Sequence, residues 1–556
     1  MLKNTFLATA MVSLTLFFAA GDVIGAASSS GVALTGQVSS QEEGRMEGVL
    51  VSAKREGSTV TTTVVTNAQG RYSFPAARLE PGRYALAIRA VGYELESSPP
   101  VEVTAQKTTQ VDLKLRKAQD LASQLSNGEW LLSMPGTVEQ RQGLLGCVSC
   151  HTVERIARSR HTAEEFMVVL KRMRDYAQGS MPTRPQVRPG GRETSPAQLK
   201  QMAKLAEYLS TINLSKVSRW EYALKTYPRP KGKATQVIIT EYDLPRPEAM
   251  PHDAVVDAEG MVWYSDFGSQ YLGKFDPKTT KAVEYAVPIT KPGAPTGGLD
   301  IQFDPEGNVW LGMMNQGGIA RFDRKTQKFQ TWNAPKFMEN NEARLAMVDP
   351  VHFNRDGKVW IGGDSEYQLD VQTGEWYTID YARGLGAGGP AANRLSSYGV
   401  VSDSKNNFYG LNLQGEYIIR VDAKTRNVIA YPTLTANAGP RRGHMDSQDR
   451  LWFAEFRANK IGMFDTNAER MHEFDVQIPW TNPYDAVVDK AGYAWTGGMT
   501  NDHIVRVNTK TNEAVGYLMP RMTNVRRVNV DNSTSRPTFW VGNNLGAALI
   551  KIEALE

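Results

Sequence analysis

The stretch VVDAEGMVW, residues 255–263, returns down the chain as QFDPEGNVW from Gln302, HFNRDGKVW from His352, VVSDSKNNFY from Val400, HMDSQDRLW from His444, VVDKAGYAW from Val487 and, in degenerate form, VNVDNSTSRPTFW from Val528. Each copy reads as a strand, a turn and a second strand, followed by a strand that ends in a pattern of the form F/V-D-x-K-T. The anchors Asp257, Asp304, Asn354, Asp403, Asp446, Asp489 and Asp531 are 47, 50, 49, 43, 43 and 42 residues apart. Short strands recurring with a period of 40 to 50 residues mark a β-propeller, and seven copies predict seven blades over residues 236–556. The last copy ends at Ile552 with no room for an outer strand. The orphan strand from Val237 to Tyr242, ahead of the first copy, is expected to supply it and close the ring, which removes exposed edges.

Composition bounds the rest. The chain has 556 residues, 41% hydrophobic and 22% charged, a formal net charge of +4 and two cysteines. That length suggests several domains, and the abundance of aromatic and aliphatic side chains excludes wholesale disorder. No long Lys/Arg run suggests a nucleic-acid partner. Two cysteines make no disulfide scaffold. At the amino terminus, Lys3 precedes an apolar run from Phe6 to Ala20 and then small residues around Gly25, Ala26 and Ala27. This is the layout of a secretory signal peptide, assigned to residues 1–26; the run is short for a membrane span. The mature protein is therefore expected to be periplasmic or secreted, without a transmembrane segment.

Residues 30–116 read as strands throughout. Val49, Val51 and Ala53 alternate with their neighbours, Thr59 to Val65 is β-branched, and Asn67–Gly70, Pro81-Gly82 and Val91-Gly92 supply turns. The stretches TNAQGRYSF from Thr66 and PGRYALAIRAVGY from Pro81 resemble the carboxypeptidase regulatory-like, transthyretin-like family. The resemblance implies a β-sandwich that serves as an accessory or docking module.

Residues 119–214 change to helical periodicity. Thr162-Ala163-Glu164-Glu165 is a capping box, after which Phe166, Val169, Leu170, Met173 and Ala177 share a face; a second helix opens at Ser195-Pro196. Ahead of them stands Cys147-Val148-Ser149-Cys150-His151. C-x-x-C-H reads as a c-type haem attachment site, in which two thiols bond the vinyl groups and the histidine ligates iron. A redox dithiol does not need the histidine, and a zinc site normally needs further cysteines. The segment resembles a small all-α cytochrome c domain, and one covalent haem c is expected. Met181, in the Met181-Pro182 loop before the last helix, is the candidate sixth ligand, with His161 as the alternative. Met173 and Met202 read as core residues. Residues 215–235 form a polar linker. From His151 to Lys233 there are 17 Lys/Arg against 7 Asp/Glu, which suits either an acidic redox partner or a solvated surface.

Five residues before each propeller anchor stand His252, Leu299, Asp349, Tyr398, Arg441, Tyr484 and Arg526, and one step on stand Asp253, Asp300, Pro350, Gly399, Arg442, Asp485 and Arg527. These positions are expected to open the innermost strands, around the central channel. The arginine pairs Arg441-Arg442 and Arg526-Arg527, with Tyr398, Tyr484 and Asp253, suggest a site for a small anionic or aromatic substrate, and His252 is a candidate base. The acids offer the other reading, a salt-bridge ring that plugs the channel.

The array also resembles the virginiamycin B lyase (streptogramin lyase) family, on EYDLPRPEAMPHDAVVDAEGMVWYSDF from Glu241 and RLWFAEFRANKIGMFD from Arg450. That family carries out a metal-dependent elimination with a histidine base. The resemblance implies His252 as that base and Glu455 as a carboxylate that, with a neighbour such as Asp266, would hold Mg²⁺. The E-P-H element of the family is not matched, because Met250 precedes Pro251-His252 and Asn482-Pro483-Tyr484 has neither acid nor histidine. Three functions follow from the sequence: a haem-dependent oxidoreductase with a binding channel, a lyase with a haem appendage, and a non-enzymatic binding or electron-docking module.

Overall fold

The computed structural model describes residues 31–190, 193–214, 222–334, 345–363, 366–383, 385 and 390–556. The expected signal peptide, residues 1–26, lies outside the described residues, as does part of the expected linker. Among the described residues no helix is long and apolar enough to cross a membrane.

Residues 237–556 fold as seven four-stranded antiparallel sheets whose innermost strands neighbour one another in a closed circle. Blades 1 to 6 occupy residues 251–286, 301–333, 345–378, 399–432, 440–475 and 483–518. Blade 7 takes three strands from residues 528–554, and its outer strand is Val237–Asp243, which pairs with Ala548–Ala554 in register from Val237↔Ala554 to Asp243↔Ala548. The repeated Asp and Trp explain why these sequences form hairpins. Asp257 Oδ1 accepts the Met261 N–H at 2.8 Å and tightens the turn, while Oδ2 accepts the Trp263 indole N–H at 2.8 Å. Asp304 with Trp310, Asp446 with Trp452 and Asp489 with Trp495 repeat the indole bond at 2.8–2.9 Å. Each indole is thereby fixed between blades with its only polar atom satisfied. Asp403 uses the Tyr409 hydroxyl instead.

Residues 32–117 form the amino-terminal β-sandwich around a core that includes Leu34, Val51, Tyr72, Phe74, Leu86 and Leu113. One of its sheets does not end at the sandwich boundary. Strand Val60–Val65 pairs antiparallel with Val237–Asp243, so that four sandwich strands and blade 7 make one eight-stranded sheet. Ile238 is buried in the sandwich core and Ile239 in the core of blade 7, on opposite faces of the shared strand.

Between these bodies lie α1 (Asn127–Ser133), α2 (Val138–Gln142), α3 (Glu154–Ala157), α4 (Ala163–Arg174) and α5 (Pro196–Ile212). The expected capping box at Thr162 and the N1 proline at Pro196 are both present. A separate small all-α domain is not evident. Trp130, Leu144, Val148, Phe166 and Leu209 share one apolar cluster with Phe456, Tyr484 and Met499 of the propeller, so the helical segment is built onto the propeller face. The Gly128 N–H donates to Thr500 O at 2.6 Å and Tyr227 OH to Pro479 O at 2.7 Å along the same seam.

Because one strand serves two cores, Ile238→Ala and Ile239→Ala should each lower stability by about 2–5 kcal/mol. Denaturant unfolding of either variant, followed by tryptophan fluorescence and by far-ultraviolet circular dichroism, should show sandwich and propeller losing structure together; a sandwich that melts alone would contradict the shared sheet.

Candidate functional site

The C-x-x-C-H segment sits at the end of a 3₁₀ turn, Gly143–Ser149. Cys147, Cys150, His151 and Met181 all line one cavity of about 540 Å³, closed by Leu170, Tyr176 and Leu205. Both thiols are free. Burial pushes the Cys147 thiol up to about 11, and burial also raises Cys150 against the pull of Arg526. Such thiols are protonated and poor nucleophiles, unlike those of a reactive dithiol. His151 Nδ1 donates to Thr152 O at 2.9 Å, which leaves Nε2 with its lone pair, and burial lowers the ring's proton affinity further. The imidazole is neutral and oriented, as a ligand needs to be.

Met173 and Met202, expected in the core, instead line this same cavity, half-buried. His161 is not among its walls. It stands just before the Thr162 cap, edge-on to Phe166 and 3.6 Å from Glu165. Arg155, Arg172 and Arg174 stand around the cavity and give it a basic rim. Among the described residues no three His, Cys, Asp or Glu side chains gather as metal ligands would.

Directly beneath the C-x-x-C-H loop lies the mouth of the propeller channel. Asn524 Nδ2 donates to Val148 O at 3.0 Å and Arg526 Nη2 to Ser149 O at 3.4 Å, so channel residues hold the two carbonyls between the cysteines. The first row of channel residues is then a buried cation–aromatic cluster. Arg441 lies 3.8 Å from the ring centroid of Tyr484, 4.4 Å from Phe456 and 5.0 Å from Tyr398. Arg526 lies 5.2 Å from Tyr484 and 5.5 Å from Phe267. The Tyr398 and Tyr484 hydroxyls bond to each other. Against the upward push of burial, Arg441 draws the Tyr398 hydroxyl below the usual tyrosine range.

His252 joins the two rows: Nε2 meets the Tyr484 hydroxyl at 3.1 Å and Nδ1 meets Asp253 Oδ1 at 2.6 Å. Both nitrogens are engaged, the ring is fully buried, and burial lowers its proton affinity to about 3. These are the properties of a neutral hydrogen-bonding channel residue.

The second row is an ion-pair network. Arg442 grips Asp253 through both oxygens at 2.9 and 3.0 Å and reaches Asp300 at 2.6 Å. Arg527 bonds Asp300 at 2.7 Å and approaches Asp485 at 3.5 Å, and Asp485 meets His444 at 3.0 Å. Arg442 and Arg527 are therefore neutralised inside the channel, whereas no ion pair of Arg441 or Arg526 is found among the described residues. The sequence alignment misplaces one acid. Asp349 ends the inner strand of blade 3 opposite Trp360, the register position that Gln302 and His444 hold in blades 2 and 5, one step of strand alternation beyond Asp300; its Oδ2 accepts the Ser402 N–H of the next blade, as Asp253 accepts Ile301, Asp300 accepts Val348 and Asp485 accepts Val528. These acids staple blade 1 to 2, 2 to 3, 3 to 4 and 6 to 7, a role that alignment alone does not reveal.

Glu455 and Asp266 occupy the ends of equivalent strands in blades 5 and 1, and Asp266 is taken by Arg246 and by the N–H groups of Gly268 and Ser269. Glu455 is buried with both carboxyl oxygens unpartnered, and burial, with Glu473 beside it, pushes the group up to about 8.

The comparisons bear on the two β regions. Residues 33–116 match the carboxypeptidase regulatory-like domain family, which agrees with the sandwich. No curated protein sequence matches the chain. Among solved structures, virginiamycin B lyase from Staphylococcus aureus is 18% identical with a TM-score of 0.47, over 57% of this chain and 99% of that one. A streptogramin B lyase structure is 19% identical with a TM-score of 0.48, over 58% and 99%. The Cps50 (Swd1) β-propeller domain of Myceliophteria thermophila is 9% identical with a TM-score of 0.43, over 55% and 96%.

Three predictions follow from the charges. Arg442→Ala strands Asp253 and Asp300 and should cost about 3–5 kcal/mol in denaturant unfolding. Arg441→Ala breaks no carboxylate pair and should cost about 1–2 kcal/mol of stacking. For Glu455 the folded state holds the proton above pH 4.5, where the unfolded chain releases it. Its favourable contribution is whole below pH 4.5 and is lost as pH rises through about 8. Unfolding of Glu455→Gln from pH 5 to 9 should lack this decline, so that the variant gains of order 2–4 kcal/mol on wild type across that span.

Proposed function

We propose that the chain is an exported c-type haem protein that couples one-electron transfer to binding at the top of the propeller channel. One observation carries this reading: the two thiols of C-x-x-C-H, the neutral imidazole that follows them and a methionine from a distant loop line a single cavity. In it Cys147 and Cys150 would attach haem c, His151 would supply one axial nitrogen, and Met181 would supply the other ligand. The covalent haem supplies single-electron exchange when bound.

The chain's own residues supply the rest. Arg155, Arg172 and Arg174 at the rim suit an acidic redox partner, with docking that weakens as salt rises. In the channel, Arg442 and Arg527 serve as the plug. The anionic or aromatic ligand is assigned to Arg441 and Arg526, with Tyr398 and Tyr484, the cluster that touches the Ser149 carbonyl. Periplasmic or secreted location is part of the proposal and rests on the amino-terminal pattern.

Acid-extracted, denatured protein from a host that makes c-type haem should retain its haem in a pyridine haemochrome spectrum, and the Cys147→Ala, Cys150→Ala double variant should lose it. Haem that extracts from wild type, or one zinc per chain, would refute the assignment. Small carboxylates titrated by calorimetry should bind wild type and bind Arg441→Ala more weakly, with Arg442→Ala compared only where it remains folded. Adding a candidate substrate to the ferric protein and watching for reduction separates the oxidoreductase from the docking module.

A further inference from the structure

The loop that carries Met181 is fastened to the propeller. Residues 177–188 form a tight hairpin: the Ala177 N–H donates to Gln186 O at 2.8 Å, Met181 N to Arg184 O at 3.2 Å and Arg184 N to Met181 O at 3.0 Å. Gln186 then spans to two loops of blade 1. Its Nε2 donates to Gly268 O at 3.1 Å and Thr296 O at 3.0 Å, and its Oε1 accepts the Thr296 N–H at 2.7 Å and the Thr296 hydroxyl at 3.2 Å. Both donors and both lone pairs of the amide are used, an arrangement that fixes orientation as well as position. Arg184 adds bonds to Gly268 O at 2.8 Å and the Ser269 hydroxyl at 2.9 Å. The approach is close enough to demand Gly179, whose φ is +84° and whose Cβ would fall 2.1 Å from Phe267 O. Met181 packs against the apolar cluster that contains Met250 and Phe267, and the Phe267 ring lies tilted against His252 at 4.8 Å.

We propose that Gln186 and Arg184 are positioning residues by which blade 1 holds Met181 in place as the sixth ligand of the haem. This rests on the haem reading above. A thioether is a weak ligand, and a loop of this length left free loses more entropy on ligation than one already held. The turn Asp266–Gln270 that receives the loop also carries Phe267, which faces His252 and Arg526. The channel-top cluster and the sixth ligand therefore lean on the same turn.

The test is imidazole binding to the ferric holoprotein, since imidazole competes with a thioether for iron, together with the near-infrared thioether-to-iron charge-transfer band. Wild type should show the band; Met181→Ala should lose it and bind imidazole more tightly. Gln186→Met, which keeps the volume and removes the amide bonds, and Arg184→Ala should weaken the band and tighten imidazole by about 10-fold, the usual effect of losing an outer-shell partner. Thr183→Ala, an exposed change on the same loop, should match wild type, and thermal unfolding of all variants should show the propeller intact. If Met181→Ala responds while Gln186→Met and Arg184→Ala both behave as wild type, the ligand assignment stands and the anchor is overturned. If Met181→Ala changes neither readout, the ligand assignment fails and the anchor falls with it.

Discussion

Strand Val237–Asp243 is hydrogen-bonded along both edges, and the architecture depends on that. One edge closes blade 7 against Ala548–Ala554, the other takes up Val60–Val65 of the sandwich. A propeller with its last outer strand missing would expose an edge in blade 7, and an eight-stranded continuous sheet removes it. The consequence for the chain between is geometric. The chain leaves the sandwich from Leu113–Lys117, in the sheet not shared with the propeller, and re-enters at Val237–Asp243 in the shared sheet, so the helical segment lies between one sandwich sheet and the strand that joins the two bodies. It settles on the nearest large apolar surface, the channel mouth with Phe456, Tyr484 and Met499. Sheet pairing thus decides where the C-x-x-C-H loop rests.

Much of the propeller was legible in residues whose roles are local. The anchor acid closes a tight turn and takes an indole N–H six residues on, and both partners lie within a single nonapeptide. Where the lock is missing, the reading slips. Blade 3 has Asn354 as its anchor, its indole donates to Asn406 O of the next blade, and the inner strand ends early at Asp349. That shift put Asp349 in the wrong row. Blade 7 has its Trp540 nine residues after Asp531, and its outer strand comes from the other end of the array.

The parts that were not legible are those that depend on long-range neighbours. Gln186 and Arg184 belong to no pattern in the sequence; their function comes from carbonyls of Gly268 and Thr296, roughly a hundred residues away. Met173 and Met202 have helical spacing suited to a core, but the space they face is the cavity that the C-x-x-C-H loop also lines. The sandwich was visible as a domain, but its merging with blade 7 was not, because edge strands carry no mark of the partner they will take.

The four channel arginines make the same point in energetic terms. As sequence they are two identical Arg-Arg pairs. Folding separates them by one residue of strand alternation: Arg442 and Arg527 point to the ring of aspartates, Arg441 and Arg526 to the aromatic side chains above. A guanidinium buried against carboxylates is satisfied within the fold and mainly holds the blades together. One buried against ring faces keeps most of its charge uncompensated, since cation–aromatic attraction is worth only about 1–2 kcal/mol. Of the four channel arginines, the two for which no ion pair is found among the described residues thus lie together, with Arg526 against the carbonyl of Ser149. On the haem reading, that charge favours the electron-rich ferrous state and attracts an anion to the same point, so electron affinity and ligand recognition arise from the same two side chains.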